Sequence, residues 1–315
     1  MTRLLPALRI LAIIWVVITV VFVTLRLTPG DPAELLLGPT AGRQDVQERL
    51  ADIRAQYGLD QPIPVQYAIF VGNVLQGDLG ESNRSARPVI SMIAAAAPVT
   101  IWLIVLSVGT AIPISIFLGM IAAARRGRTL DRGIRSLATL CMAVPSFWLG
   151  LLFLQWFASG LGWFPSRGYV APLTDPGGFM MHMALPVITL AIFLVGTLTR
   201  FVYTETADTL QRDYITVSRA MGLASRTILF RFAAKNSLTP LIIVVGVEIG
   251  TLIGGAVIVE EVFGLPGLGR LLLGAVMSRD YPVVQGTILV ITVAVILINI
   301  AAEMLYRYIT PQARS

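Results

Sequence analysis

Apolar residues come in long, nearly unbroken runs along this chain, and the polar residues are gathered between them. Six runs approach the roughly 20 mostly apolar residues that a helix needs to cross a bilayer: Ile10–Leu27, Pro98–Ala124, Ile134–Ser159, Met183–Tyr203, Leu238–Val259 and Pro282–Tyr306. In hydrocarbon a backbone must satisfy its own hydrogen bonds, so runs of this kind predict helices. Arg9 and Arg26 flank the first run and can reach the two interfaces. Its basic start and apolar body have the look of a signal peptide. However, no small-x-small cleavage site follows, only "RLTPGDP", so it is read as a retained span.

The longest polar interval, Thr28–Ala97, opens with "TPGDP", whose prolines and glycine stop the first helix. Within it Val46, Leu50, Ile53 and Tyr57 recur at helical spacing, and "YGLDQPIP" ends that pattern. The chain therefore divides into residues 1–27, a small external subdomain over 28–97, and a helical core over 98–315. The subdomain is either a cap over the bundle or a surface for a partner.

Between the fourth and fifth runs, residues 208–237 carry "RAMGLASRTILFR" and the arginines Arg212, Arg219, Arg226 and Arg231. Asp213 is placed to cap a short helix reaching Met221. Gly222 suits the left-handed position that ends such a helix. Ser225 is placed to cap the next one. In a soluble chain this pattern would suggest a DNA reader, but about 30 residues tethered at both ends leave no room for a three-helix DNA-binding domain. Two readings stay open: a docking surface for another protein, or an amphipathic connector held at the lipid headgroups.

Composition agrees with the pattern. The 315 residues are 56% hydrophobic and 13% charged, where soluble domains carry about 25% charged residues. With the N-terminus in the cytoplasm, fifteen Lys and Arg fall inside and nine outside. Five of those nine lie in the long external interval, where the positive-inside rule counts little. The dense clusters, Arg125–Arg135 and Arg212–Lys235, fall inside. The net charge of +6 then reflects topology and implies no nucleic-acid partner.

Several chemistries are excluded cheaply. Lys235 is the only lysine and follows Ala233 and Ala234, so there is no Gly-Lys-Ser/Thr phosphate loop. One histidine, His182, and one cysteine, Cys141, build neither a Cys/His zinc site nor an internal disulfide. No Gly-x-Ser-x-Gly elbow accompanies His182. "MMHM" at 180–183 is a packing element or a soft metal site. A lone imidazole with thioethers is weak ligation for nickel, so no metal is expected.

Read in order, "TPGDP", "YGLDQPIPVQY", "QGDLGES", "RPV", "VPSFWLGLL", "HMALPVITLA", "QRDYITVSRAMGL", "KNSLTPLI", "GGAVIVEEVFGLPGLGRLL" and "RDYPVVQG" resemble the permease subunits of dipeptide, oligopeptide and nickel ABC importers along nearly the whole chain. In many importer permeases the cytoplasmic loop reads Glu-Ala-Ala, three residues, Gly. Counting back from Gly222 puts Thr216, Val217 and Ser218 on those first three positions, so the Glu is absent, as is usual in this branch. The resemblance implies an all-α membrane protein with the six-helix type I importer permease fold. It implies a second similar permease, two cytoplasmic ATPase subunits and an external binding protein as partners. ATP and Mg²⁺ would be held by the ATPases, with no cofactor and no catalytic residue on this chain. Peptides are the default substrate, and nickel, glutathione or another small solute the alternative. A proton-coupled carrier, which would be expected to show paired halves, or an intramembrane enzyme is the rival class.

The same resemblance makes the segment around Asp213, Tyr214, Thr216, Ser218, Arg219, Ala220, Met221, Gly222 and Leu223 the coupling segment that meets an ATPase. Arg270 and Arg279 fall on the external stretch between the last two runs, where Leu268, Leu271, Leu272 and Ala275 predict a short helix that would face the binding protein. Gly246, Gly250 and Gly254 form a GxxxGxxxG packing stripe on the fifth run. Glu248, the one acid deep within that run as delimited, lies about 160–200° around the helix from Gly246 and Gly250. It is assigned, with Thr251, to the translocation path; the alternative for Glu248 is a neutral acid bonded to another span. Pro113, Pro145 and Pro186 lie within runs as kinks or hinges.

Overall fold

A computed structural model describes residues 4–27 (side chains from 12 to 23), 50, 51 and 54, and 61–310. The predicted helix through Val46 and Tyr57 and the "TPGDP" turn lie outside the described residues, apart from positions 50, 51 and 54. The described helices are α1 (Leu4–Leu27), α2 (Ile63–Leu75), α3 (Val89–Ala124), α4 (Thr129–Ala143), α5 (Ser146–Phe153, continued as a π-helix over Leu154–Gly160), α6 (Pro176–Thr209), α7 (Asp213–Ala220), α8 (Ala234–Leu238, preceded by a helical turn over Ser225–Thr227 and a π-helix over Ile228–Ala233), α9 (Leu241–Phe263), α10 (Leu268–Met277) and α11 (Tyr281–Ile309). Among the described residues there is no strand, only an isolated bridge between Glu81 and Pro88. Among the described residues four helices, α3, α6, α9 and α11, are long and apolar enough to cross a membrane, and the bent pair α4–α5 is a fifth such element if counted as one span. The chain separates into two compact units: residues through Val99 with Gly267–Ile296, and Thr100–Pro266 with Leu297 onward.

In the first unit, α1 and α2 meet through aromatic edges. Phe22 lies 5.2 Å from Tyr67 and 5.6 Å from Phe70, and the Thr19 and Tyr67 hydroxyls are 2.7 Å apart. Val89, Ile93 and Ala96 form a buried core with Leu268, Ala275 and Val283. The contact is close enough to require Gly286, where a Cβ would come within 2.7 Å of Val89 Cγ1. Beside this core Asp280 is 5% exposed. Its carboxylate accepts from the Ser82 hydroxyl at 2.5 Å and the Asn83 amide at 3.2 Å. A buried carboxylate demands such donors, and here they tie a loop to a corner almost 200 residues away along the chain.

The second unit is built on α6. Asp175 caps its start by accepting from Gly178 N–H at 3.0 Å, so the helix begins seven residues before the predicted run. Helix α4 runs along α6 at Gly196, where a Cβ would lie 2.7 Å from the Ala138 carbonyl oxygen and 2.8 Å from Met142 Cγ. Ser107 of α3 donates to its own Leu103 carbonyl at 2.7 Å and approaches the Val187 carbonyl at 3.4 Å. Helix α9 extends beyond the predicted run to Phe263 and so takes in Glu260, which is fully buried and accepts from Thr100 Oγ1 at 2.5 Å.

Three expectations are corrected. The third run is not one continuous helix: α4 and α5 meet at 94° across Val144–Pro145. Val144 is extended, with φ −83° and ψ 122°, because proline excludes helical geometry from the residue before it and has no N–H to donate. Neither Asp213 nor Ser225 is a cap: Arg212 and Ala224 hold those positions without a side-chain bond. Within this chain the glycine stripe does not pack as one face. Gly246 sits against Ala302, where its Cβ would come within 2.6 Å, while nothing lies within 4 Å of Gly254.

Helix ends recur in one form. Gly77, Gly222, Gly264 and Arg279 are all left-handed, with φ of 79°, 79°, 68° and 56°. Each is followed by an amide bonding five residues back, as in Leu223 N to Ser218 O at 3.3 Å and Asp280 N to Ala275 O at 2.9 Å. These are Schellman ends, which satisfy carbonyls that the helix leaves open. Arg279 adopts it without being glycine, at a cost on the order of 1–2 kcal/mol, next to the anchored Asp280.

Gly196→Val is expected to lower the thermal unfolding midpoint of the detergent-solubilised chain, at a cost of about 1–3 kcal/mol from overpacking against α4. Gly133→Ala is the control. Nothing lies within 4 Å of that Cβ position, and a helical Gly→Ala change is worth about 0.5–1 kcal/mol in the stabilising direction. Equal midpoints for both variants would refute the packing assignment.

Candidate functional site

Helix α7 is short and two-sided. Ile215 is fully buried and Ser218 is 8% exposed, and the Ser218 hydroxyl closes on the Tyr214 carbonyl at 2.7 Å. The Tyr214 hydroxyl accepts from Asn236 Nδ2 at 2.9 Å, which ties the helix to α8. Behind α8, Ser237 is buried and meets Thr206 of α6 at 3.3 Å. The segment is therefore attached to the spanning helices by side-chain contacts as well as by its two chain connections.

The other side of α7 faces outward. Thr216, Val217, Ala220 and Met221 are exposed, Val217 at 58% and Met221 at 75%. At 100° per residue they form one face with Asp213. The Schellman turn at Gly222 then carries Leu223, also exposed, around the end of the helix. No atom lies near the Gly222 Cβ position, so the glycine is required by its positive φ rather than by space. Arg212, Arg219 and Arg226 are exposed around this apolar centre. Sequence reasoning passed over Val217, whose exposure depends on which side of α7 faces the bundle. Ser218, named with the coupling segment, faces inward.

A second feature opens where α4 breaks. A cleft of about 410 Å³ is lined by Met142, Ala143, Val144, Pro145 and Ser146 at the break, by Leu190 and Phe193 of α6, and by Thr251, Leu252 and Gly255 of α9. Glu248 is partly buried one turn before Thr251 and Leu252 on the same side of α9, opposite the contact of Gly246 with Ala302. Glu248 does not itself line the cleft.

The remaining singled-out residues are on other elements or in another part of α6. Arg270 is exposed on α10 and Arg279 is exposed at its end. The His182 Nδ1–H donates to the Gly178 carbonyl at 2.7 Å within α6. Among the described residues no group of three His, Cys, Asp or Glu side chains is placed to hold a metal ion.

The family described as binding-protein-dependent transport system inner membrane component matches residues 115–315. Its N-terminal companion, binding-protein-dependent transport system membrane component, matches residues 1–104. A Brucella abortus (strain 2308) protein named for a peptide transport system permease is 40% identical over 299 residues, covering 95% of this chain and 94% of its own. The glutathione transport system permease protein GsiC of Salmonella choleraesuis is 37% identical over 311 residues, covering 99% and 96%. In fold, the chain is similar to a chain of the inward-facing MetNI methionine ABC transporter, with a TM-score of 0.60 at 17% identity over 70% of this chain and 97% of that one. The chain belongs to the inner membrane components of binding-protein-dependent transport systems, as a multi-pass permease subunit of an ABC importer.

Proposed function

We propose that this chain crosses the membrane six times, with both termini in the cytoplasm, and forms one half of a path for peptides beside a second, similar permease. Residues 28–97 make an external subdomain and 98–315 the permease core, with 208–237 as its coupling segment. Two cytoplasmic ATPase subunits hold ATP and Mg²⁺, and an external binding protein delivers substrate. The peptide reading is supported by the 40% identity to the Brucella peptide permease. Glutathione, itself a small peptide, is the second reading, favoured by the Salmonella relative at 99% coverage of this chain.

The observation that carries the coupling role is the two-sided α7. Its inward side, Ile215 and Ser218, is buried, and Tyr214 is bonded to Asn236. Its outward side presents Val217, Met221 and Leu223 with arginines around them. A rigid apolar knob of this kind, joined to α8 and through it to α6 and α9, converts a push from an ATPase into movement of the spans. Glu248 and Thr251 line the path as α9 moves, and Arg270 and Arg279 meet the binding protein. Uncovered surface on α11, where only 6% of its most apolar stretch is buried, is available to the second permease or to lipid.

Gly222→Val forces a β-branched residue into a left-handed backbone, at about 1–2 kcal/mol locally. Substrate-stimulated ATP hydrolysis of the assembled complex is expected to fall severalfold while the chain still inserts, and Gly222→Asn is expected to retain most of it. Normal stimulation and uptake with valine would remove α7 from the coupling role. Met221→Asp is expected to weaken copurification of the ATPases without changing the thermal midpoint of the isolated chain, since Met221 is 75% exposed. Undiminished copurification counts against the knob.

For the path, Glu248→Gln is expected to alter uptake of charged peptides more than complex stability. In a Cys141→Ala background, Glu248→Cys is expected to react with an aqueous thiol reagent in at least one nucleotide state. A position that resists labelling in every state, with normal transport by Glu248→Gln, returns Glu248 to a structural role.

A further inference from the structure

The link from α3 to α4 gathers five arginines, Arg125, Arg126, Arg128, Arg132 and Arg135, against one acid, Asp131. Asp131 is 1% exposed. It accepts from Gly127 N–H at 2.8 Å and from Arg135 Nε at 2.7 Å. Arg135 also lies 5.3 Å over the Tyr203 ring, so it is occupied within the protein. The bond to Gly127, whose φ is +83°, fixes the turn, and Arg132 Nη2 approaches the Gly127 carbonyl at 3.5 Å. Arg125, Arg126, Arg128 and Arg132 are exposed and make no ion pair among the described residues. Asp131 thus holds in shape a turn that leaves four arginines exposed to solvent.

Helix α4 continues from this turn with its polar and apolar sides separated. Asp131, Ile134 and Ala138 face inward, while Leu130, Leu137 and Leu140 are 40%, 52% and 59% exposed. At 100° and 1.5 Å per residue these three leucines form one ridge about 15 Å long. That is about the depth of one leaflet of a hydrocarbon core roughly 30 Å thick. The ridge ends at the bend of Val144–Pro145. A cluster of cations at one end of an exposed apolar track one leaflet deep matches an amphiphile with an anionic head and an acyl tail.

We infer that the Arg125–Arg132 turn and the Leu130–Leu137–Leu140 ridge form a binding site for an anionic phospholipid, with its phosphate on the arginines and a chain along the leucines. This site is distinct from the coupling surface on α7 and does not depend on which solute is carried. Charge complementarity selects the occupant: a neutral lipid would satisfy the leucines but leave four cations unmatched, and each basic residue near an anionic surface is worth about a fivefold preference. Bound lipid would brace the junction of α3 and α4, and through Arg135 and Tyr203 the inner part of α6.

The test is native mass spectrometry of the full-length chain in detergent with equimolar phosphatidylglycerol and phosphatidylcholine. Wild type is expected to retain phosphatidylglycerol preferentially. The triple variant Arg126→Gln, Arg128→Gln, Arg132→Gln is expected to lose at least tenfold of that preference. The corresponding triple lysine variant should stay within about threefold of wild type. A control pair on the coupling segment, Arg212→Gln with Arg226→Gln, should leave the preference unchanged. Leu137→Asn with Leu140→Asn should reduce retention of both lipids. An unchanged preference in the glutamine triple overturns the site, as does its loss in the lysine triple, since charge at these positions would then not be what selects the lipid. In the assembled importer, crosslinking from position 128 to an ATPase subunit with none to lipid would assign the turn to that partner instead.

Discussion

Inside a bilayer no water is available to satisfy an open amide or carbonyl, and every other feature of this chain is arranged around that constraint. It makes the spans helices, since a helix closes its own bonds. It sends open backbone groups to helix ends, where Schellman turns at Gly77, Gly222, Gly264 and Arg279 satisfy some of them. It also makes the break at Val144–Pro145 conspicuous, because proline there removes one donor and displaces the next few. The break adjoins the cleft between α4, α6 and α9. Irregular backbone at membrane depth is tolerated where it lines a cavity or is covered by protein, and this one does the former.

The same constraint governs the polar side chains. Buried hydroxyls such as Ser107 and Thr189 return to carbonyls one turn back in their own helices. The two buried carboxylates near the ends of spans, Glu260 and Asp280, each accept from a hydroxyl, Thr100 and Ser82 respectively. Asp131 does the equivalent at the α3–α4 turn with an amide and a guanidinium. Each carboxylate joins chain segments that are distant or would otherwise move independently, so the cost of burying a charge is offset by a fixed junction. Helix α7 inherits this rigidity through Tyr214, Asn236 and Ser237. A short exposed helix would otherwise be a poor lever, because isolated helices of eight residues are marginal in water.

Much of the molecule was legible without coordinates. Runs of apolar residues located the long helices, although α1, α3, α6 and α9 extend past their runs and the third run is broken into α4 and α5. Gly222 was readable as a left-handed stop because so few residues take that geometry cheaply. The short helix after Gly267 followed from the spacing of Leu268, Leu271, Leu272 and Ala275. These features rest on local chemistry, on periods of 3.6 residues and on backbone sterics, and all of that is written in consecutive residues.

What only the tertiary structure decided is direction. A proline within an apolar run can sit inside a continuous helix, as Pro186 does in α6, or stand at a 94° turn, as Pro145 does, and the run alone does not tell the two apart. Likewise three glycines at i, i+4 and i+8 announce close packing, yet only the partner helix determines that Gly246 meets Ala302 and Gly254 meets nothing. On α7 the order of residues is the same whichever side is buried. Ile215 and Ser218 were drawn inward by the bundle, and that placed Val217 and Met221 outside. Sequence sets the elements because their bonds are local. The faces they present are set by contacts between residues far apart in the chain.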